Sequence, residues 1–245
     1  MCICRYVTLV LCFCHPHADA QKGLGLSGDW GDAQVQALGL SWYYNWGTEP
    51  SPSVTIPDVQ FVPMIFSPKH ANASIAGPVV LGFNEPDNEH QSNISVAEAL
   101  AVWPQVVKLA ATVGSPATAK NPVTGSWLPA FMSASPPPKV DFMTLHWYKG
   151  VNASKFQSDV ENVFKTYNKT VWVTEFCPQT AAEANSNPNK YSTHEVVAFV
   201  EATLSWMKAN SRMVARYAWH DPKVGTCSLW ASNQLSAAGQ AHFQH

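Results

Sequence analysis

Two glutamates in this chain each directly follow an apolar stretch of the kind that forms a buried strand. Glu85 follows the run 79–84 and precedes Pro86, which cannot donate to a strand ladder and therefore ends the strand at Glu85. Glu175 follows the run 171–174. A single glutamate at a strand end is usually a solvated residue, but two such groups are what glycoside hydrolysis requires, one protonated and one ionised. The pair, with Asn84 directly before one member, therefore predicts acid/base and nucleophilic chemistry on a glycosidic bond.

Polar and aromatic side chains accompany both glutamates. Asn84 can donate its amide to a sugar hydroxyl or to the opposite carboxylate. His146 and Tyr148 end the strand predicted next to that of Glu175, and either can orient this glutamate; the alternative for His146 is a structural histidine at the barrel rim. Flat amphipathic rings suit sugar faces, although strand alternation sends about half of such rings into the core. The side chains predicted to contact sugar, besides Asn84, His146 and Tyr148, are Tyr44, Asn45, Trp46, Trp127, Phe131, Trp147, Trp219 and Trp230.

Short apolar strands alternate along the chain with segments of helical periodicity. Ser95-Val96-Ala97-Glu98 has the form of a capping box that starts a helix running to about residue 110. Strand-then-helix units in one domain of this size predict an α/β fold, a compact single-domain (β/α)8 TIM barrel over residues 21–245. The eight strands are predicted at 23–26, 40–45, 61–66, 79–84, 112–115, 142–146, 171–175 and 216–219.

The charge of the chain excludes several classes of partner. Only 13% of the residues are charged, the net charge is −2, and no basic cluster is present, which excludes nucleic acid and anionic membrane surfaces. A glycine pattern at 23–28 lacks the preceding strand and following helix of a nucleotide site. The histidines show no metal-ligand spacing. We therefore predict a neutral ligand, no cofactor, no metal and a monomer.

The first twenty residues have the form of a signal peptide. Arg5 precedes the apolar run 6–14, and Ala18-Asp19-Ala20 has the small-x-small pattern of a cleavage site. The prediction is a secreted protein, extracellular or in a cell wall, that begins near Gln21. Four sequons in the remaining chain predict N-glycosylation at Asn72, Asn93, Asn152 and Asn168.

Two cysteines remain after the predicted leader. Cys177 and Cys227 follow the seventh and eighth predicted strands, whose loops leave the same face of a barrel. An even cysteine count in an oxidising compartment favours a bridge over a catalytic thiol. The sequence therefore predicts a Cys177–Cys227 disulfide.

Four segments together resemble glycoside hydrolase family 128: Trp42-Tyr43-Tyr44-Asn45-Trp46, residues 82–87, His146-Trp147-Tyr148 and Thr174-Glu175-Phe176. The members of that family are (β/α)8 endo-β-1,3-glucanases with a fungal branch, and the likeness spans residues 23–242. Asn-Glu-Pro is shared with the wider clan of retaining barrel glycosidases, so the aromatic motif at 42–46 is the more specific signal. The resemblance implies that Glu85 is the general acid/base, that Glu175 is the nucleophile and that Asn84 contacts the sugar beside the scissile bond.

Two other functions remain open at this stage. One is the same retaining mechanism on a different neutral β-glycan, such as mannan or β-1,4-glucan, because loop aromatics rather than the glutamates select the substrate. The other is a glucan-binding wall protein that has lost catalysis. For the enzyme, glutamates facing each other from strands four and seven predict retention of configuration, with carboxyl groups about 5–5.5 Å apart instead of about 6.5–9.5 Å.

Overall fold

The computed structural model describes residues 20–28, 30–178, 190–221 and 225–245. Apart from Ala20, the predicted signal peptide with its four cysteines lies outside these residues. Eight parallel strands occur along the described chain, and helical segments follow all of them except β2, which is followed by a loop leading to β3. The strands are β1 (Gln21–Gly25), β2 (Trp42–Tyr44), β3 (Gln60–Phe61), β4 (Val79–Val80), β5 (Thr112–Val113), β6 (Met143–Trp147), β7 (Val171–Phe176) and β8 (Val214–His220).

The eight strands neighbour one another around a ring. Six form a sheet in the order β3-β2-β1-β8-β7-β6, and β4 pairs with β5. Parallel bridges at Met64–Leu81 and Gly114–Phe142 join these two sets. At the first junction the Ile65 N–H donates to the Leu81 carbonyl at 3.0 Å. The predicted (β/α)8 fold is confirmed, and each observed strand overlaps its predicted segment.

The outer helices differ widely in length because the chain is short for an eight-fold barrel. A 3-10 turn at Pro68–His70 is the helical structure between β3 and β4. Ser95 caps the second helix: its backbone N–H donates to Glu98 at 2.8 Å, and its hydroxyl accepts from the Glu98 N–H at 3.2 Å, which confirms the capping box. The helices are α1 (Asp32–Leu38), α2 (Val96–Leu109), α3 (Trp127–Met132), α4 (Ala153–Tyr167), α5 (Thr193–Ala209) and α6 (Ala237–Gln244). A short antiparallel pair, β9 (Trp230–Ala231) and β10 (Gln234–Leu235), precedes α6.

In the described part of the chain, no helix combines the length and the apolar character needed to cross a membrane.

Strand alternation divides the core into two clusters. On β2, Tyr43 packs in the cluster between the strands and the helices, whereas Trp42 and Tyr44 belong to the cluster inside the barrel. Gly23 on the neighbouring strand leaves room for the indole, because a Cβ there would lie 2.4 Å from the Trp42 ring. The inner cluster consists of Trp42, Tyr44, Val62, Met64, Leu81, Phe142, Trp172 and Ala218.

A stack of aromatic rings and one cation fills the interior of the barrel. The Arg216 guanidinium lies over the Trp172 ring at 4.3 Å from its centroid and over the Trp42 ring at 5.6 Å. The Nη2 of Arg216 donates to Gln60 Oε1 at 2.7 Å. Phe142 stacks on the Trp172 ring, with the two ring centroids 4.1 Å apart. We call these five side chains the barrel floor.

Candidate active site

The two predicted glutamates meet at the C-terminal ends of the strands, with His146 between them. His146 Nδ1 lies 3.0 Å from Glu85 Oε1 and 3.4 Å from Glu175 Oε2. One oxygen of each carboxylate and this nitrogen all lie within 4.8 Å of one another. The three side chains are almost fully buried. Strands four, six and seven therefore bring together the predicted pair and the predicted histidine.

Glu175 is held by three aromatic side chains. Its Oε1 accepts from Trp46 Nε1 at 2.7 Å and from the Tyr44 hydroxyl at 3.0 Å, and its Oε2 accepts from the Tyr148 hydroxyl at 2.6 Å. Burial, and next the charge of Glu175, raise the pKa of both tyrosines well above the usual value, so each remains a donor. The donors replace the water that a buried carboxylate loses and fix its direction.

Glu85 has a different set of partners. Its Oε1 faces His146, and its Oε2 accepts from Asn88 Nδ2 at 2.8 Å. Burial acts to raise the pKa of Glu85, but the hydrogen bond and charge of His146 and the Asn88 amide outweigh it, and the pKa is lower than usual. For His146 the balance is reversed: burial opposes its charged form, yet the Glu175 and Glu85 carboxylates raise its pKa.

The backbone is in the left-handed conformation at Trp46, which contacts Glu175, and at Glu85 itself. Trp46 has φ 59° and Glu85 has φ 39°, values that side chains other than glycine adopt at a cost of about 1–3 kcal/mol. The Glu85 backbone is held in place by its N–H, which donates to the Ala117 carbonyl at 2.7 Å. The surrounding loops therefore maintain a strained conformation at two positions, Trp46 and Glu85, that line one pocket.

A small pocket opens over the carboxylates. It is lined by Trp46, Phe66, Asn84, Glu85, Gln91, Glu175 and His220. Asn84 Nδ2 donates to Gln91 at 3.1 Å, and its buried Oδ1 has no protein partner among the described residues. His220 contacts the rings of Trp46 and Tyr148. Asn84 therefore lines the pocket with its amide nitrogen bonded to Gln91 and its oxygen buried, and sugar contact by this residue stays a prediction.

Four lining or supporting residues were missed from the sequence: Phe66, Asn88, Gln91 and His220. Phe66 and His220 lie just past the third strand and at the end of the eighth, so the rule that located the glutamates could have found them. Asn88 and Gln91 lie in an irregular loop after β4, where no periodicity marks a side chain that turns back to the site. His220 has a raised pKa, because its hydrogen bond to Cys177 and the charge of Glu175 outweigh the effect of burial.

Two of the predicted sugar-binding tryptophans belong instead to the core between strands and helices. Trp147 is fully buried, stacks on Phe199 and donates to Asp159 at 3.0 Å. Trp219 is also fully buried and donates to the Cys227 carbonyl at 2.9 Å. The prediction was wrong for both because each lies between two inward-facing neighbours and alternation turns it outward.

Three other predicted contacts lie away from the carboxylates. Asn45 shapes its own loop, since its Nδ2 donates to the Glu49 carbonyl and its Oδ1 accepts from the Gly47 N–H. Trp127 stacks on the buried Phe131 and donates to the Ile94 carbonyl at 2.8 Å, and Trp230 is a partly buried residue packed against the outer core. None of these residues lines the described pocket, so sugar contact by them stays a prediction.

The predicted disulfide is not formed in the structure. Cys177 and Cys227 are both buried thiols. The side chain of Cys177 hydrogen-bonds with Cys227 and His220, and burial raises its pKa well above the usual value. Adjacent strand ends bring the two side chains together, as predicted, but a bond also requires a narrow range of Cα separations and torsions that adjacency does not impose.

The four sequon asparagines are all exposed, so each is accessible to modification: Asn72, Asn93, Asn152 and Asn168. Asn152 and Asn168 also flank α4, as its N-cap and its left-handed C-cap. Glycosylation of these positions stays a prediction.

Among the described residues, the side chains whose ligand atoms lie close enough together to hold a metal ion are Glu85, His146 and Glu175. The two carboxylates also accept hydrogen bonds from Asn88 and from Tyr148, as expected for groups that take part in proton transfer. A reaction without metal or cofactor stays a prediction.

A (β/α)8 barrel that holds two carboxyl groups this close together at the ends of β4 and β7 defines a glycoside hydrolase. The chain belongs to the glycosyl hydrolase catalytic core family, whose model matches residues 26–241, and solved structures confirm the resemblance to glycoside hydrolase family 128.

Three relatives illustrate the range of this family. A family 128 subgroup I endo-β-1,3-glucanase from Amycolatopsis mediterranei, solved with laminaritriose, is 31% identical with a TM-score of 0.83, covering 92% of this chain and 99% of its own. A subgroup VII oligosaccharide-binding protein from Trichoderma gamsii is 25% identical with a TM-score of 0.72, covering 92% and 93%. Alkali-sensitive linkage protein 1 of Schizosaccharomyces pombe is 31% identical over 193 residues, which are 75% of this chain but 35% of that protein.

Proposed function

We propose that this chain is a secreted, retaining endo-β-1,3-glucanase with Glu175 as nucleophile and Glu85 as general acid/base. The observation that carries the proposal is the pair of carboxylates linked through His146, with one oxygen of each within 4.8 Å of the other. A retaining pair requires about 5–5.5 Å between carboxyl groups, whereas an inverting pair leaves room for a water at about 6.5–9.5 Å. The close approach favours double displacement.

The reaction then follows from the partners of each carboxylate. Glu175, directed by its three donors, attacks the anomeric carbon while the bond to the leaving sugar breaks. The form of Glu85 that carries a proton, which its lowered pKa makes the minor form at neutral pH, gives that proton to the departing oxygen. In the second step Glu85 accepts a proton from water, the water oxygen bonds to the anomeric carbon, and Glu175 is released. His146 lies beside both groups and compensates the changing charge on Glu85.

A neutral β-1,3-glucan fits the pocket better than a charged polymer. Trp46 and Phe66 supply partly exposed rings at the pocket, and Asn84 and Gln91 line it with uncharged polar side chains. The relative from Amycolatopsis mediterranei is an endo-β-1,3-glucanase solved with laminaritriose. The leader pattern and the four exposed sequons support secretion, to the extracellular space or a cell wall.

The second candidate is an oligosaccharide-binding protein, which the relative from Trichoderma gamsii exemplifies. The geometry favours the enzyme, because binding alone has no need of two carboxylates held side by side with dedicated donors.

Digestion of linear β-1,3-glucan by the purified chain 21–245 tests the proposal. We expect a ladder of oligosaccharides, initial products with the β configuration by proton NMR, and full activity after EDTA. Glu175→Gln is the matched control, since it keeps the shape of the pocket and removes the nucleophile. Binding of oligosaccharide without hydrolysis by the unmutated protein would favour the second candidate. Activity restricted to β-1,4-glucan or mannan, or product of inverted configuration, would refute the corresponding part of the proposal.

A further inference from the structure

Asn88 contacts the acid/base carboxylate from a loop that the sequence does not mark. Its Nδ2 lies 2.8 Å from Glu85 Oε2. The backbone of the same residue is tied to the strand end, because the Asn88 N–H donates to the Glu85 carbonyl at 3.0 Å. The backbone and the side chain of Asn88 therefore both hydrogen-bond with Glu85, whose carboxylate must change protonation during the proposed reaction.

The orientation of the Asn88 amide is determined by its neighbours. Its Oδ1 accepts from the backbone N–H of His90 at 3.1 Å, and a backbone N–H can only donate. The amide nitrogen is therefore the end that faces Glu85. An amide nitrogen donates and does not accept, so a proton on Glu85 cannot point at Asn88.

We propose that Asn88 is a positioning residue for the acid/base: its amide stabilises the ionised form of Glu85 and keeps the proton of the neutral form off the side of Oε2 that the amide occupies. The inference rests on the proposed function. It extends that function by assigning control of the protonation of Glu85 to a residue in the loop after β4.

The charge environment supports this assignment. Asn88 itself does not titrate. The titratable groups around Glu85 are His146 from β6, Glu175 from β7, His220 from β8, Tyr44 from β2 and Asp87 in its own loop. Asn88 is the neutral donor among the groups that lower the pKa of Glu85, the others being His146 and His220. A substitution of Asn88 therefore changes a hydrogen bond without removing a cation from the site.

Two substitutions separate proton control from loop structure. Asn88→Asp keeps an oxygen for the His90 N–H but replaces the donor facing Glu85 with an acceptor, which is negatively charged when ionised. Asn88→Ala removes both contacts. Asn121→Ala is the matched control, because the Asn121 oxygen accepts from the Val123 and Thr124 N–H groups in a comparable turn.

The readout is the pH dependence of kcat/KM on a β-1,3-glucan oligosaccharide. For Asn88→Ala we expect the alkaline side of the profile to move to higher pH. The ratio of kcat/KM of the variant to kcat/KM of the unmutated enzyme should then be about ten times larger at the alkaline end of the profile than at the acid end. Asn88→Asp should move in the same direction at least as far, and Asn121→Ala should leave the profile in place. If Asn88→Asp matches the unmutated enzyme while Asn88→Ala loses activity equally at every pH, Asn88 serves only the turn and the inference is wrong.

A second measurement does not depend on activity. Carbon-13 NMR of the glutamate side chains, with the Glu85 signal assigned by its loss in Glu85→Gln, reports the titration of Glu85 directly. We expect the titration to shift to higher pH in both Asn88 variants; an unchanged curve would overturn the inference. If the unmutated protein hydrolyses no glucan, the proposed function fails, and this titration still decides the role of Asn88.

Discussion

Two regions of the barrel each hold a buried histidine, and the pKa values of these histidines shift in opposite directions. We call the residues around the carboxylate pocket the rim, and the core between the strands and the helices the shell. His146 lies between two carboxylates, and those charges raise its pKa despite its burial. His242 on α6 lies against the rings of Tyr217 and Trp219, and burial, with a smaller effect of Lys22, lowers its pKa to about 3. Burial alone makes a histidine neutral, so the charged neighbours decide which one can take part in proton transfer.

The tryptophans follow the same division. Trp46 lies at the inner rim, partly exposed, and donates to Glu175. Trp147, which was also predicted to contact sugar, lies between the strands and the helices and donates to Asp159. The comparison predicts that rim substitutions change catalysis and that shell substitutions change folding stability.

The largest effect is expected at the nucleophile. Glu175→Gln keeps the size of the side chain but removes the attacking oxygen charge, so kcat should fall by about four orders of magnitude or more. The melting temperature should change little, because the amide oxygen can still accept from Tyr44 and Trp46 while the Tyr148 hydroxyl can turn to accept from the amide nitrogen. Comparable loss of activity and of stability would contradict the separation of rim from shell.

Glu85→Ala should cost less, about two to four orders of magnitude, since general acid/base assistance is removed while the nucleophile remains. Added azide should restore part of the turnover on an aryl glycoside with a good leaving group, because a small anion attacks the glycosyl-enzyme without base assistance. The product to be measured is the β-glycosyl azide. Absence of this product would argue against Glu85 as the acid/base.

Trp147→Ala should destabilise the fold by about 3–5 kcal/mol, because it empties a closely packed site and removes the indole donor to Asp159, which keeps only the lysine donors Lys149 and Lys155. Urea unfolding measures this change. Trp46→Ala is the matched rim variant: its loss of stability should be smaller, and its kcat/KM should fall about tenfold or more as the ring and the donor to Glu175 disappear. Equal stability losses would contradict the comparison.

The smallest effect concerns His242. In the unfolded chain this histidine has its usual pKa near 6.5, whereas the folded protein accepts the proton only near pH 3. Its contribution is therefore complete above pH 6.5 and is lost progressively as the pH falls toward 3, by about 2–3 kcal/mol at pH 4.5. His242→Phe should flatten this part of the stability curve, whereas His194→Gln, at an exposed position, should not. A curve unchanged by His242→Phe would exclude this histidine as the cause.

The sequence was sufficient to predict the barrel and the centre of the site, because both follow from strand periodicity. Every strand ends at the same face, so Glu85, His146 and Glu175 could be placed together without coordinates. Periodicity also separates Trp147 from His146 and Tyr148, and the prediction failed there because aromatic type was weighed above alternation. Asn88 and Gln91 were out of reach, since their roles depend on a loop path set by hydrogen bonds to Asn84, Glu85 and Pro86.

The barrel floor has a consequence for the fate of the glycosyl-enzyme that the proposed mechanism forms. Because Trp42, Trp172 and Phe142 pack around Arg216 and fill the space below Glu175, the second-step nucleophile must arrive by the opening through which the first product departs. Water and a second oligosaccharide therefore compete for the same approach. At high oligosaccharide concentration we expect transglycosylation, visible as products longer than the starting material, and dilution should restore simple hydrolysis.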